Sequence, residues 1–168
     1  MMNDITIYLD MDGVLCNFDK AYRAYDPYKE DRKKFRQAVL EYRIFETLEM
    51  MPDTQELLNH VSRLRGVNIE ILTSVGTFDK SQGEAAKMQK IKWLNDHNIP
   101  YRTNFSRNKE EKSNWAMPNS ILIDDSAGCV APFIAKGGNA ILHKHSSDTI
   151  RILDSLILQL RALEALRA

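Results

Sequence analysis

Apolar residues follow two rhythms along this chain. Short runs, such as Ile5-Thr6-Ile7-Tyr8-Leu9 and Ser120-Ile121-Leu122-Ile123, alternate or stay continuous as strands do. Longer stretches repeat at spacings of three and four, as helices do. The pattern predicts strands over residues 5–9, 67–72, 101–104, 120–123 and 139–142. It predicts helices over 52–65, 82–97, 109–115, 130–136 and 149–166. In the first of these helices Leu57, Leu58, Val61 and Leu64 share one face and Gly66 stops it, while Asn98-Ile99-Pro100 ends the second. Strands alternating with helices imply an α/β chain: a Rossmann-like, three-layer parallel sheet covered on both faces. Such sheets bind ligands beyond the carboxyl ends of their strands.

One stretch breaks the rhythm. Between Asp19 and Met51 there is no strand signal, and from Lys20 to Arg43 eight basic residues (Lys20, Arg23, Lys29, Arg32, Lys33, Lys34, Arg36, Arg43) face four acids (Asp26, Glu30, Asp31, Glu41). Phe35, Val39, Leu40 and Tyr42 supply a thin apolar stripe. The reading is a small helical cap, residues 20–51, inserted after the first strand of a core formed by 1–19 and 52–168. Its positive charge would attract a phosphate-bearing substrate. A solvated helix pair with no part in the site is the plainer alternative. The last helix carries Leu153, Leu156, Leu160 and Leu163, which suit packing on the sheet or, alternatively, a homodimer seam.

Composition narrows the classes. With 168 residues, 43% of them apolar and 27% charged, the chain suits one globular domain with a sizeable core. A formal net charge of zero argues against a long nucleic acid as partner. No apolar stretch approaches the roughly 20 residues that cross a bilayer, so no membrane role is expected. The start, Met1-Met2-Asn3-Asp4, has no signal-peptide character. Cys16 and Cys129 stand alone without metal-ligand spacing and read as reduced packing thiols, which suits a cytoplasmic location.

The chemistry gathers at strand ends. Asp10 and Asp12 close the first run, and residues two apart on an extended segment point the same way. Asp124 and Asp125 close another run. Together they suit Mg²⁺, which prefers carboxylate oxygens with water and phosphate. Since neighbours on a strand face opposite ways, one of Asp124 and Asp125 is expected at the metal and the other behind it, orienting a neighbour. A calcium loop is excluded, because Val14, Leu15 and Ala21 stand where it needs Asp/Asn, Gly and Glu. Thr73-Ser74 at a strand-to-loop junction suits phosphate oxygens, and a lysine, Lys112 or otherwise Lys109, would complete the anion site. His143-Lys144-His145 has too few ligands for zinc, and neither a G-x-x-x-x-G-K-[ST] loop nor a G-x-S-x-G elbow is present.

In order, Asp10-Met11-Asp12-Gly13-Val14-Leu15, Thr73-Ser74, Lys112 and Asp124-Asp125 resemble the four motifs of the haloacid dehalogenase-like superfamily of phosphotransferases. Cys16-Asn17-Phe18 and Phe45-Glu46-Thr47-Leu48-Glu49-Met50-Met51-Pro52 add a likeness to its 5'(3')-deoxyribonucleotidase family. The resemblance implies Asp10 as nucleophile and Asp12 as proton donor and acceptor. It implies Mg²⁺ on Asp10, Asp124 and Asp12, the last through its backbone carbonyl, with Thr73, Ser74 and Lys112 on the phosphate. Asp125 would orient Lys112 or a metal-bound water. Phe18 is the candidate for stacking on a base, with Tyr22, Tyr25 and Tyr28 on the cap side. The function implied is Mg²⁺-dependent hydrolysis of deoxyribonucleoside monophosphates. Alternatives are another small phosphate ester, a nucleic-acid 3'-phosphate end, or a catalytically silent binding protein on the same scaffold.

Overall fold

Five strands pair in parallel: β1 (Ile5–Leu9), β2 (Val67–Ser74), β3 (Arg102–Ser106), β4 (Ser120–Asp124) and β5 (Asn139–Leu142), in the order β3-β2-β1-β4-β5. The computed structural model describes residues 4–26 and 30–168, the side chain of Arg32 excepted. Tyr28 and Lys29, and the charge of Arg32, expected on the cap, lie outside the described residues. The chain winds outward from β1 through β2 to β3, then returns to β4 on the other side of β1. The carboxyl ends of β1 and β4 therefore flank the point where the winding reverses, where open α/β sheets leave a crevice.

Alternation along the strands builds the two faces. Ile5, Ile7, Leu9, Ile71, Ile121 and Ile123 enter the main core, which Leu57 and Val61 of α3 (Thr54–Val61) and Leu153 and Ile157 of α6 (Ser146–Arg167) complete. Leu72 and Leu122, one residue out of step, turn to the opposite face and meet Cys129 and Phe133 of α5 (Ala127–Ala135). Tyr8 closes that face edge-on to Phe133, ring centroids 6.4 Å apart.

Several boundaries move. β2 and β4 run two and one residues past their predicted ends, to Ser74 and Asp124. The predicted helix over 109–115 is a 3-10 helix, Glu110–Trp115, in which the Ser113 hydroxyl bonds back to the Glu110 carbonyl (2.7 Å). The predicted helix over 52–65 is α-helical only to Val61. Arg63 and Leu64 then bond three residues back, to His60 and Val61, and tighten the exit.

The 20–51 segment contributes α1 (Phe18–Ala24), α2 (Asp31–Leu40) and a 3-10 turn, Ile44–Glu46. It shares the main core instead of having its own: Ala38, Val39, Ile44, Phe45 and Leu48 are buried with the β1 residues. Two side chains of α4 (Lys80–Asp96) fasten it. Gln89 donates to the Val39 carbonyl (2.7 Å) and accepts from the Phe45 N–H (3.3 Å), and the Trp93 indole donates to the Leu48 carbonyl (2.8 Å). The positive excess is partly offset, since Lys20 pairs with Glu49 (2.7 Å) and Arg43 with Glu46. On α6, Leu153 is buried and Leu156 and Leu160 lean on the core, while Leu163 and Leu166 are exposed. Among the described residues no helix is long and apolar enough to cross a membrane.

Candidate active site

Asp10 leaves β1 still in register with β4, its N–H on the Ile123 carbonyl (3.0 Å). Asp124 ends β4 and is fully buried. These adjacent strand ends bring together carboxylates more than a hundred residues apart. Between them lies Lys112, 2% exposed, whose Nζ donates to Asp10 Oδ1 and Asp124 Oδ2 at 2.7 Å each. Burial, reinforced by the Asp124 and Asp12 carboxylates against the pull of Lys112, pushes Asp10 up to about 8. Burial acts against the Lys112 charge, but Asp10 and Asp124 outweigh it and hold the ammonium well above its usual range. Of the two expected lysines, Lys112 is the one inside the acid cluster, and Lys109 lines the cavity wall.

Of the two orienting roles expected of Asp125, on Lys112 or on a metal-bound water, the structure does not show the contact with Lys112. Lys112 is held by Asp10 and Asp124, not by Asp125. An Asp125 oxygen instead lies within 4.8 Å of oxygens from both Asp10 and Asp124. The alternation rule fails because β4 ends at Asp124; Asp125 is already in the turn and is free to swing back. Its carboxylate occupies the space beside Gly13 where a Cβ would sit, and Gly13 has a φ of +86°. The residue type at position 13 is thus tied to the acid cluster.

Asp12 also sits differently from the strand picture. After Leu9 the chain curls, and the N–H groups of Val14, Leu15 and Cys16 all converge on the Met11 carbonyl (3.1, 2.8 and 3.0 Å). The Thr54 hydroxyl, 2.9 Å from both the Val14 and Leu15 carbonyls, fastens the curl. Asp12 faces the same cavity as Asp10, but its carboxylate belongs to a different cluster. Its Oδ2 accepts from Lys90 Nζ at 2.8 Å, and Cys16 Sγ is 3.5 Å from Oδ1. The side-chain oxygens that could share one ion are those of the expected Asp10 and Asp124 together with Asp125, while Asp12 is expected to contribute only its backbone carbonyl.

Lys90 escaped the sequence reading. It lies in α4 among residues of weak apolar periodicity and is fully buried. A lysine at a helix position between the inward-facing Ala86 and Trp93 was the available signal. Its second partner is the Thr73 hydroxyl, at 2.8 Å. Thr73, expected on the phosphate, is fully buried against Lys90 of α4 and is not among the residues that line the cavity. Ser74, the next residue, lines the cavity, and its Oγ accepts from the Gly76 N–H (3.1 Å).

The cavity above these groups has a volume of about 910 Å³. Phe18, Phe35, Phe45 and Phe78 form its apolar side, and Arg107, Lys109, Lys144 and His145 contribute basic groups. Phe18 already stacks on Tyr22 (5.1 Å, 16°) and on Phe45 (5.2 Å, 15°), so the protein itself uses its ring for stacking. Phe78 is 69% exposed, with the Arg107 guanidinium 5.3 Å from its ring centre. Tyr25 packs on Tyr42 (4.9 Å). Cys129 borders the cavity, but burial pushes its thiol up to about 12 and that of Cys16 well above its usual range, which disfavours the thiolate at both. His143 bonds Thr149 Oγ1 through Nδ1 (2.7 Å), and the one candidate metal cluster among the described residues is carboxylate only.

That cluster fits a hard divalent cation. Its donors are oxygens within 4.8 Å of one another, and its three carboxylates face the single ammonium of Lys112. A bound cation would offset the remaining negative charge and favour the ionised form of Asp10.

No protein-family model matches the chain, and no curated protein does. Solved structures do. A hydrolase from Streptococcus pneumoniae TIGR4 aligns over 91% of this chain and 100% of its own, at 16% identity and a TM-score of 0.55. A haloacid dehalogenase-like family hydrolase from Xanthomonas campestris aligns over 95% of this chain and 100% of its own, at 14% identity and a TM-score of 0.62. With its five parallel strands and flanking helices, the chain has the α/β fold of haloacid dehalogenase-like hydrolases.

Proposed function

We propose that this protein is a Mg²⁺-dependent phosphomonoesterase that works through an aspartyl-phosphate on Asp10, with deoxyribonucleoside monophosphates as substrates. The observation that carries the reading is the convergence of Asp10, Asp124 and Asp125, with Lys112 paired to the first two, in the lining of one cavity. Asp10, Asp124 and Asp125 would hold the ion, which supplies charge neutralisation and alignment of the phosphate when bound. Lys112 takes one oxygen of Asp10 and leaves the other to attack.

In the first half-reaction a bond forms from the Asp10 carboxylate oxygen to phosphorus, and the bond from phosphorus to the ester oxygen breaks. The leaving alkoxide takes a proton from Asp12, whose carboxylate faces the cavity. In the second, water attacks phosphorus, gives its proton to Asp12, and releases Asp10 and inorganic phosphate. Ser74 and the backbone of Val75 and Gly76 border the cavity where equatorial oxygens would lie. The phenylalanine side of the cavity supports a flat, apolar leaving group such as a nucleoside, and its basic rim supports an anionic substrate.

A panel of phosphate esters tests this: deoxyribonucleoside and ribonucleoside monophosphates, sugar phosphates and a 3'-phosphorylated oligonucleotide, each with Mg²⁺ and with EDTA. We expect turnover of deoxyribonucleoside monophosphates with Mg²⁺ alone, and its loss in a folded Asp10→Asn variant. Full activity in Asp10→Asn would remove Asp10 as nucleophile. Preference for another ester would keep the phosphatase and overturn the substrate.

A further inference from the structure

We propose that Lys90 is a positioning residue for Asp12, a role that rests on the phosphatase reading above. A buried ammonium is costly unless each N–H finds a partner. Lys90, with no exposed surface, finds Asp12 Oδ2 at 2.8 Å, Thr73 Oγ1 at 2.8 Å and the face of Phe45, 4.5 Å from its ring centre. Core packing alone does not call for this arrangement, since a methionine would fill the same space with no charge to desolvate. Nor is Lys90 needed to fasten the cap, which the neighbouring Gln89 and Trp93 do through three hydrogen bonds of their own.

What Lys90 does settle is the carboxylate of Asp12. That side chain is 31% exposed and borders the cavity; apart from Lys90, its close neighbour is a thiol 3.5 Å away, a weak partner. Holding Oδ2 fixes the rotation of the carboxylate at the cavity edge and so the directions in which it can give or take a proton. Proton transfer needs such geometry before it needs anything else.

The same ammonium also touches the cap. Phe45 stacks on Phe18, Phe18 on Tyr22, and Lys34, 8% exposed, lies 4.2 Å over the Tyr22 ring. This column of three rings, with an ammonium at each end, runs from α2 to Asp12. It keeps Lys90 in place and links the docking of the cap to the alignment of Asp12.

Lys90→Met keeps the volume and removes the charge. We expect it to fold, to keep its Mg²⁺-induced rise in melting temperature, and to lose about 10²–10³-fold in kcat on a nucleoside monophosphate, with KM changed less than about threefold. With p-nitrophenyl phosphate, whose leaving group departs unprotonated, the variant should release one equivalent of nitrophenolate in a burst at near the wild-type rate. It should then turn over slowly, because Asp12 must still take the proton of water. Loss of the burst in a variant that folds and responds to Mg²⁺ would overturn the proposal, and so would wild-type kcat. Lys90→Gln, which keeps a donor without the charge, is read in the same way. If neither variant melts cooperatively, Lys90 is a structural residue and the proposal falls. A wild-type protein inactive on every ester overturns the phosphatase reading and takes this assignment with it, whereas an active wild type matched by Lys90→Met overturns the assignment alone.

Discussion

Mg²⁺ added to metal-free protein should raise its melting temperature, and Asp125→Asn should remove most of that rise. Asp10 and Asp124, 5% and 0% exposed, share a site with Asp125, and among the described residues Lys112 is the one cation that pairs with the first two. With all four groups ionised the cluster carries two uncompensated negative charges, and burial, with the Asp124 and Asp12 carboxylates adding to it against Lys112, pushes Asp10 up to about 8. The unfolded chain has no such cluster, so an ion bound there stabilises the native state alone. At one hundred times its dissociation constant the gain is about 2.7 kcal/mol. For a chain of this size each kcal/mol moves the melting temperature by roughly 2–4 °C, so a rise of about 5–11 °C is expected. Differential scanning fluorimetry of EDTA-treated protein, titrated with MgCl₂, measures it. Asp125→Asn keeps the volume and loses a charged ligand, and should need much more Mg²⁺ for the same rise. An unresponsive wild type at millimolar Mg²⁺, or a variant indistinguishable from it, would refute the assignment of the three carboxylates to one ion.

Gly13→Ala should behave like a metal-site lesion although glycine binds nothing. The added methyl enters the space of the Asp125 carboxylate at a φ of +86°, so the Mg²⁺ response should fall toward that of Asp125→Asn, with a loss of about 1–3 kcal/mol in the metal-free protein. Both are read from melts with and without Mg²⁺; an unchanged response would separate the curl after β1 from the acid cluster. Asp53→Asn tests a joint away from the site. Burial pushes the Asp53 carboxyl up, but hydrogen bonds from Ser146, whose N–H lies 2.6 Å from Oδ2 at the start of α6, outweigh it and leave the group below its usual range. A lowered folded value means stability that is present above the unfolded carboxyl value of about 4 and is lost as pH falls through the folded value. Wild type should therefore exceed Asp53→Asn by about 1 kcal/mol at neutral pH, and chemical denaturation should show the gap closing below about pH 4. A gap that stays constant down to pH 3 would contradict the charge-based account.

How much of this was legible in the sequence depended on how far each inference reached. Strand identity was local. Ile5 to Leu9 and Ser120 to Ile123 carry their pattern within five residues, so the sheet could be read, and with it the strand ends that bring Asp10 to Asp124. Lys112 could be named from its position before β4, but its two 2.7 Å contacts depend on the 3-10 helix that aims it, and the helical rhythm over 109–115 does not distinguish that geometry. Boundaries decided the errors. The rule that neighbours on a strand face apart is sound, yet β4 ends between Asp124 and Asp125, and one residue of strand length converts an expected supporting acid into a third candidate ligand. Gly13 held the missing clue, since a glycine at positive φ beside an acid cluster signals a close approach, though not what approaches.

Lys90 and Thr73 illustrate a different limit. Their pairing spans 17 residues, and Lys90 reaches Asp12 across 78, so neither contact leaves a periodic trace. Thr73 reads as a phosphate ligand because hydroxyls at strand ends commonly are, and only the packing of α4 against β2 shows that its hydroxyl is occupied. A buried lysine in a helix looks, from sequence, like one more solvated charge; its cost becomes visible only when its surroundings are known. Among the buried polar groups, Asp10, Asp124, Lys112, Thr73 and Lys90 are where local pattern conflicts most with burial, and these five stand at the carboxyl ends of three neighbouring strands or reach toward them. A core built for stability alone would have filled those positions with apolar side chains, so the conflict itself marks the site.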